Sequence, residues 1–454
     1  MQADIPAKNK NRRGIHMKKL VSLLLIAVLL FTAVSALAYS KEEPITIKFW
    51  HTRGSGAQYD TLKGQVEAFN STIGAEKGII VEETYLGGYS EIMNQLYLAT
   101  TSGEQPVVCV NSTTRYPMLF DDDILVDMMP YAKASGFDIH NVFYSMYNVV
   151  GDDEETMYCL PYIKSTPVLY YNKTIADAKG IVVPDAPTIA DLEEICKKAY
   201  TVNANGEVEI WGFESLNDFT YYQGAFLWQL GEELWDEEGN TPALSGTSML
   251  KVLSDWRRWV DEGWCRPFDS TNASATMQEM LYQGKLFAFW ASCSSMANIS
   301  KYMAEAGQEL GIANFPTYDL EKPIVPIGGG SIMIIKPGNT EEQYAAGWEL
   351  INFLMSDEMV AYNAVNSGYL PVTISVAEND TMKAFWEEKP IFKVAYDQLP
   401  NGIDQAYPDF PYNSELKNNI QSVVSLLIQE GSITPEQAVQ QIKDDNAHMF
   451  PQGY

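Results

Sequence analysis

Short apolar runs with strand character alternate along this chain with segments of helical spacing, and that alternation narrows the available folds more than any other feature. "ITIKFWHT" (45–52) reads as a strand, and "QYDTLKGQVEAFNST" follows with helical periodicity. "GIIVEETYLG", "YSEIMNQLYLATTSG" and "PVVCVNST" then give strand, helix and strand again. Strands separated by helices of about 10–15 residues indicate βαβ units and a parallel sheet. Further along, "PTIADLEEICKKAY" predicts a helix with Thr188 as its N-cap ahead of acidic first-turn residues. "LFAFWASCSSMANI" and "GGGSIMIIKP" read as later strands, and "TEEQYAAGWELINFLMS" and "LKNNIQSVVSLLIQE" as amphipathic helices. There is no internal repeat and no low-complexity linker, so the fold class is α/β.

The first 38 residues stand outside this pattern. "MKKLVSLLLIAVLLFTAVSALAYS" has a basic start at Met17–Lys19, an apolar stretch near 20–34 and the small-residue site Ala36-Leu37-Ala38. That is a secretory signal peptide with cleavage expected after Ala38. The polar stretch before Met17 fits a signal peptide less well than Met17 itself as a start. No cysteine follows the cleavage site, so the expectation is a periplasmic or secreted protein without a lipid anchor. The 416 residues from 39 onward are too many for one ordinary core, which makes two lobes the default. Removing residues 1–38, with six Lys/Arg and one Asp, takes the formal charge from −28 to −33. Nucleic acid and anionic membrane surfaces demand basic patches, so the charge argues against both as partners.

An enzyme needs a nucleophile with its base, a metal set or paired carboxylates. The sequence has no G-x-S-x-G elbow, no HExxH and no P-loop. His16, His51, His140 and His448 are scattered without metal-ligand spacing. Cys109, Cys159, Cys196, Cys265 and Cys293 form no CxxC pair; they read as small buried residues, with room for one disulfide at most. "GDDEET" and "WDEEGN" hold paired carboxylates but read as solvated loops. No catalytic residue, metal or cofactor is assigned. A secreted glycosidase-like enzyme, which would use two carboxylates in one cleft, is the rival from another class.

In open α/β sheets ligands sit beyond the carboxyl ends of the strands. Here those ends are "WHTRGSG" (50–56), "NSTTRY" (111–116), "ASCSS" (291–295) and "PIGGGS" (326–331), all rich in hydrogen-bonding groups. Aromatic residues make up 12% of the chain and cluster at "FTYYQGAFLW", "WRRWVDEGW" and "FAFW". Planar rings stack on the apolar faces of sugars while neighbouring Asn and Ser take the hydroxyls, so the inventory suits a hydroxylated ligand. Trp256 and Trp259, at i and i+3 on a predicted helix, are assigned to the core; Trp228 and Trp290, beside polar strand ends, are candidates for the site.

One segment, "STPVLYYNK" (165–173), is an apolar run with a polar doorway, and its Pro167 suits the first position of a strand. With "ITIKFWH", "VEAFN", "LYQGKLFAFWASCSSMANI", "PIGGGSIMII" and "AAGWELINFLMSDEMVAYNAVNSGYLPV" in order, the mature chain resembles the extracellular solute-binding proteins of ABC importers. The sugar-binding group, and within it the glycerol-3-phosphate-binding branch, is the most similar. The resemblance implies a two-lobed periplasmic-binding-protein fold with discontinuous lobes, 39–161 plus 330–367 and 162–329 plus 368–454, that closes by hinge motion. It implies a first crossing at STPVLYYNK, a return near Gly329–Met333 and another near Gly368–Pro371. It places Tyr89, Ser165, Gly329, Gly330 and Tyr369 at the cleft, with Trp228, Trp290, Ser292 and Ser294 near it.

Departures from the glycerol-phosphate branch shape the expected ligand. Thr113 stands where that branch has a hydroxyl-reading glutamate, Asn413 where it has a phosphate-pairing arginine, and Phe219 replaces a stacking tryptophan. A neutral amide does not replace a bidentate Arg–phosphate contact. Arg53, Lys164 and Arg115 read as surface groups. The expected partners are therefore a neutral sugar or polyol and the membrane subunits of an ABC permease, with the chain a monomer. Glycerol-3-phosphate or a glycerophosphodiester is the alternative within the class, and coupling to a chemoreceptor is a further one.

Overall fold

The computed structural model describes residues 43–112, 116–143, 146, 155–234, 242–268, 273–404 and 413–450. The expected signal segment and cleavage site lie outside them. Eleven strands are described: β1 (Ile45–His51), β2 (Ile79–Tyr85), β3 (Val108–Ser112), β4 (Leu160–Ser165), β5 (Pro167–Asn172), β6 (Thr201–Val202), β7 (Val208–Glu214), β8 (Leu286–Ser292), β9 (Leu310–Asn314), β10 (Val325–Ile334) and β11 (Gly402–Asp404). They form two sheets, one ordered β11-β10-β3-β1-β2 with β4 also paired to β10, the other β6-β7-β8-β5-β9.

Local sequence chemistry accounts for most elements. Thr188 accepts from the Asp191 N–H at 3.1 Å and the Asp191 carboxylate accepts from the Thr188 N–H at 2.8 Å, a capping box that opens the helix Ile189–Ala199. Trp256 and Trp259 on the helix Ser248–Asp261 are buried in the core of the second sheet. All five cysteines are buried, and none of them is in a disulfide. No helix among the described residues is long and apolar enough to cross a membrane.

The sheets are mixed rather than parallel. β1 runs parallel to β2 and β3, and β7 parallel to β8, as βαβ units require. But β10 is antiparallel to β3 and β4, and β5 is antiparallel to β8 and β9. These exceptions are strands through which the chain passes from one sheet to the other, so they enter their sheet from the opposite end. Only Thr166 separates β4 from β5. Its carbonyl accepts from Cys293 N–H at 2.9 Å, and Gln398 donates to the Pro167 carbonyl at 2.6 Å. Pro167, lacking an N–H, occupies the first position of β5. The Leu370 N–H donates to the Lys164 carbonyl at 2.9 Å, which lays 368–371 against the same crossing.

β10 meets β4 at a position that has no room for a side chain. Gly329 has φ of 104° and faces β4 so closely that a Cβ there would stand 2.0 Å from the Ile163 carbonyl oxygen. The register shifts between Gly330 and Ser331: Gly330 pairs with Ile163 and Ser331 with Pro161, so Tyr162 is left as a bulge. Bulges re-aim side chains, and Tyr162 packs beside Arg53. The largest core cluster joins both sheets, from Ile47 and Phe49 of β1 to Val168 and Tyr170 of β5 and Met296 beyond β8.

Gly329→Ala should therefore combine left-handed backbone strain with a direct clash and cost about 3–5 kcal/mol. Gly180→Ala, also at positive φ (63°) but with nothing within 4 Å of the added carbon, should cost only about 1 kcal/mol. Urea unfolding of both variants checks this; equal losses would mean that the approach to Ile163 does not constrain the crossing.

Candidate ligand site between the two sheets

The carboxyl ends of β1 and β3, the glycines of β10, the β4–β5 crossing and the 368–371 segment converge where the sheets meet. Tyr89, at the start of the helix Tyr89–Ser102, brings its hydroxyl to 3.1 Å from where a Cβ on Gly330 would be, and hydrogen bonds Thr52. Tyr221 lies over Gly328, 2.6 Å from that glycine's missing Cβ, with its hydroxyl 3.5 Å from the Ser165 carbonyl. Tyr369 hydrogen bonds Ser294 and reaches Gln58 Oε1 at 3.5 Å. Burial raises the phenol pKa values of Tyr89, Tyr221 and Tyr369 above the ordinary range, so all three stay neutral hydroxyls.

Beneath these rings lies Arg53, 1% exposed. Its guanidinium is flanked by Tyr162 and Tyr369, with Cζ 5.1 and 5.0 Å from the ring centroids. It donates to Asn363 Oδ1 at 2.9 Å and to the Gln58 carbonyl at 3.4 Å, while Nε has no partner among the described residues. It forms no ion pair with a described carboxylate. The Arg53 N–H donates to His51 Nδ1 at 3.2 Å, and His51 Nε2 lies 2.7 Å from Glu83 Oε2. An imidazole accepting at Nδ1 and donating from Nε2 is neutral, in agreement with a pKa lowered chiefly by burial.

Two contacts tie the first sheet's helix Gly56–Ser71 to the turn and helix after β8. Gln58 Nε2 donates to the Ser294 carbonyl at 2.8 Å, and the Ala57 N–H donates to Asn298 Oδ1 at 3.3 Å. Ser55, at that helix's N-cap, makes no side-chain cap, so Asn298 satisfies one of the orphan donors from across the junction.

Residues 64–394 match the family model of the bacterial extracellular solute-binding protein. The chain belongs to that family. Among curated relatives, the sn-glycerol-3-phosphate-binding periplasmic protein UgpB of Yersinia enterocolitica is 26% identical over 436 residues, covering 91% of this chain and 93% of its own. Among solved structures, UgpB from Mycobacterium tuberculosis in complex with glycerophosphocholine superposes with a TM-score of 0.77 at 19% identity, over 90% of this chain and 99% of that one. The GacH receptor of Streptomyces glaucescens, solved unliganded and with acarbose, gives a TM-score of 0.74 at 16% identity, covering 90% and 99%. These likenesses show the two-lobed α/β fold of periplasmic binding proteins.

In this solute-binding protein the structure brings Tyr89, Ser165, Gly329, Gly330, Ser294 and Tyr369 together at the junction. Ser292 lies at its edge, where its Oγ accepts from the Ser294 N–H at 3.3 Å and so serves the turn. Four other expectations need correction. Phe219 and Trp290 are buried in the second sheet's core, Trp290 among Phe213, Phe226 and Phe315 at centroid distances of 4.6, 5.4 and 5.5 Å. Both rings fill space behind the sheet. Tyr221, two residues after Phe219, is the ring that reaches the crossing. Arg53 and Lys164, read as surface groups, are 1% and 0% exposed because the 368–371 segment and the tyrosines close over that region. Trp228 is partly buried against the second core. Thr113 and Arg115 lie outside the described residues, as does the side chain of Asn413, which opens the helix Asn413–Val424. Sequence reasoning missed Tyr221, Arg53 and Gln58; the polar strand end "WHTRGSG" (50–56) was the available signal for Arg53, and Gln58 lies two residues beyond it.

His51 supplies a pH test. Its folded pKa lies below the unfolded value of 6.5, so the unfolded chain binds the extra proton first, and stability falls as pH drops below about 6.5. His51→Gln keeps a donor for Glu83 and an acceptor for Arg53. Its melting temperature should change less than that of the parent chain between pH 7 and 5; identical slopes would remove His51 from the acid response.

Proposed function

We propose that this protein captures a neutral carbohydrate or polyol between its two lobes and delivers it to an ABC permease, without chemistry on the ligand. The observation that carries this reading is the composition of the junction: neutral tyrosine and serine hydroxyls beside glycine backbone, with the cations Arg53 and Lys164 buried, at 1% and 0% exposed, and Arg53 flanked by two rings. Such a surface offers ring faces and hydroxyl partners to a sugar and little to a phosphate. Relatives named for acarbose and for maltotriose complexes support it. On this reading the lobes are 39–161 plus 330–367 and 162–329 plus 368–454, and they close about the β4–β5, β10 and 368–371 crossings. Tyr89, Ser165, Ser294, Gly329, Gly330 and Tyr369 contact the ligand, with Thr113 and Asn413 completing the site. The chain is exported by a signal peptide cut after Ala38 and acts as a monomer outside the cytoplasm; relatives named periplasmic support the extracytoplasmic location.

A glycerophosphate or glycerophosphodiester is the second reading, favoured by the relatives named for glycerol-3-phosphate and the complex with glycerophosphocholine. A thermal-shift screen across sugars, polyols and glycerol phosphates, followed by calorimetry on hits, separates the two. Ligand at 100 times its Kd adds about 2.7 kcal/mol of stability. The expected hit is a neutral saccharide whose Kd is unchanged between low and high salt, and Tyr369→Ala should weaken it at least about tenfold, roughly 1.4 kcal/mol. A glycerol-phosphate hit whose affinity falls steeply with salt would overturn the carbohydrate reading.

A further inference from the structure

A cavity of about 480 Å³ opens on the first sheet well away from the junction. Register fixes its position. Gly330 pairs with Ser112 at the carboxyl end of β3, whereas Ile334 pairs with Val108 at its amino end, and the cavity is lined by Lys336, two residues further on. Six residues of extended chain separate Gly330 from Lys336, roughly 20 Å at about 3.3 Å per residue. The cavity is therefore at the opposite end of the sheet from the site described above.

Its floor is buried Leu125, Val126 and Tyr344, and its walls include Tyr131 and Tyr158, both partly buried. Phe120 packs edge-on against Tyr158 at 4.9 Å, and Tyr131 donates to Glu341 Oε2 at 3.1 Å, so both rings are held. The charged lining is Asp123, Asp127, Glu341 and Lys336. Lys336 is engaged by both oxygens of Asp123, at 2.6 and 2.7 Å. Asp127 uses Oδ1 to accept the N–H groups of Met129 and Met157 at 3.0 and 2.9 Å. With the one cation of the described lining neutralised, Asp127 and Glu341 leave that lining net negative beside three tyrosine rings, in a chain that is itself strongly acidic.

We propose that this cavity is a second ligand site, for a small organic cation with an apolar body, such as an alkyl- or quaternary ammonium. Ring quadrupoles and carboxylates attract the same charge, and the apolar floor accommodates alkyl groups. Anionic ligands are repelled by the same residues. The site is independent of the carbohydrate reading, because it shares no residue with the junction.

The test is calorimetric titration of the mature full chain with choline chloride and with 3,3-dimethylbutanol, its uncharged isostere. Choline should bind at least about tenfold more tightly than the alcohol. Tyr131→Ala and Tyr158→Leu should each weaken choline about fivefold or more, and Glu341→Gln, which keeps the acceptor for Tyr131, about threefold. Tyr369→Ala should leave choline binding unchanged, and circular dichroism and melting temperature report whether each variant is folded. Absence of choline binding up to 100 mM, equal affinity for the alcohol, or loss on Tyr369→Ala in place of Tyr131→Ala would each overturn the proposal.

Discussion

The approach of β10 to β4 at Gly329 is the contact on which the rest of the arrangement depends. Two strands that belong to one sheet are also the strands by which the chain leaves for the other sheet and returns, so their spacing sets how the two halves meet. A side chain at Gly329 would meet the Ile163 carbonyl, and its φ of 104° is one that glycine alone adopts freely. The bulge at Tyr162 follows from the same pairing and turns that ring toward Arg53. Thr166, held by Cys293, and Pro167, held by Gln398, keep the crossing extended where a flexible loop would otherwise stand.

Burying Arg53 shows how polarity is managed at this junction. A guanidinium removed from water costs several kcal/mol unless its donors and charge are met. Here the compensation is neutral: an asparagine oxygen, a backbone carbonyl and two aromatic faces. Glu83 contributes only through His51, which stays uncharged between the carboxylate and the Arg53 backbone. The arrangement keeps the Arg53 charge between tyrosine rings and leaves the phenols neutral, and the proposed preference for a hydroxylated ligand rests on that ordering. The cap that Asn298 gives to Ala57 extends this polar lattice across the junction.

The two ends of the first sheet are chemically distinct. At the carboxyl ends of β1 and β3, glycines let rings and hydroxyls come close to the backbone. At the amino end of β3, helices carrying Tyr131 and Tyr344 enclose an acidic, ring-lined cavity. On the two proposals made above, the ends of this sheet answer to ligands of different charge.

By itself the sequence determined the element order, because strand and helix periodicities and caps such as Thr188 are local. It also determined the first position of Pro167, since a residue without an N–H cannot sit inside a ladder, and the core roles of Trp256 and Trp259, which follow from helical spacing. The family blocks carried Tyr89, Ser165, Gly329, Gly330 and Tyr369 to one region. Strand direction was decided only in three dimensions, since β5 and β10 run antiparallel because of where the chain crosses. Phe219 and Trp290 were indistinguishable from site rings by composition, and which face of the sheet a ring fills is settled by packing alone. Arg53 and Lys164 looked like solvated cations, because nothing in a linear sequence reveals that a segment more than 200 positions away closes over them. Local patterns are written residue by residue; burial and the pairing of distant charges belong to the assembled fold.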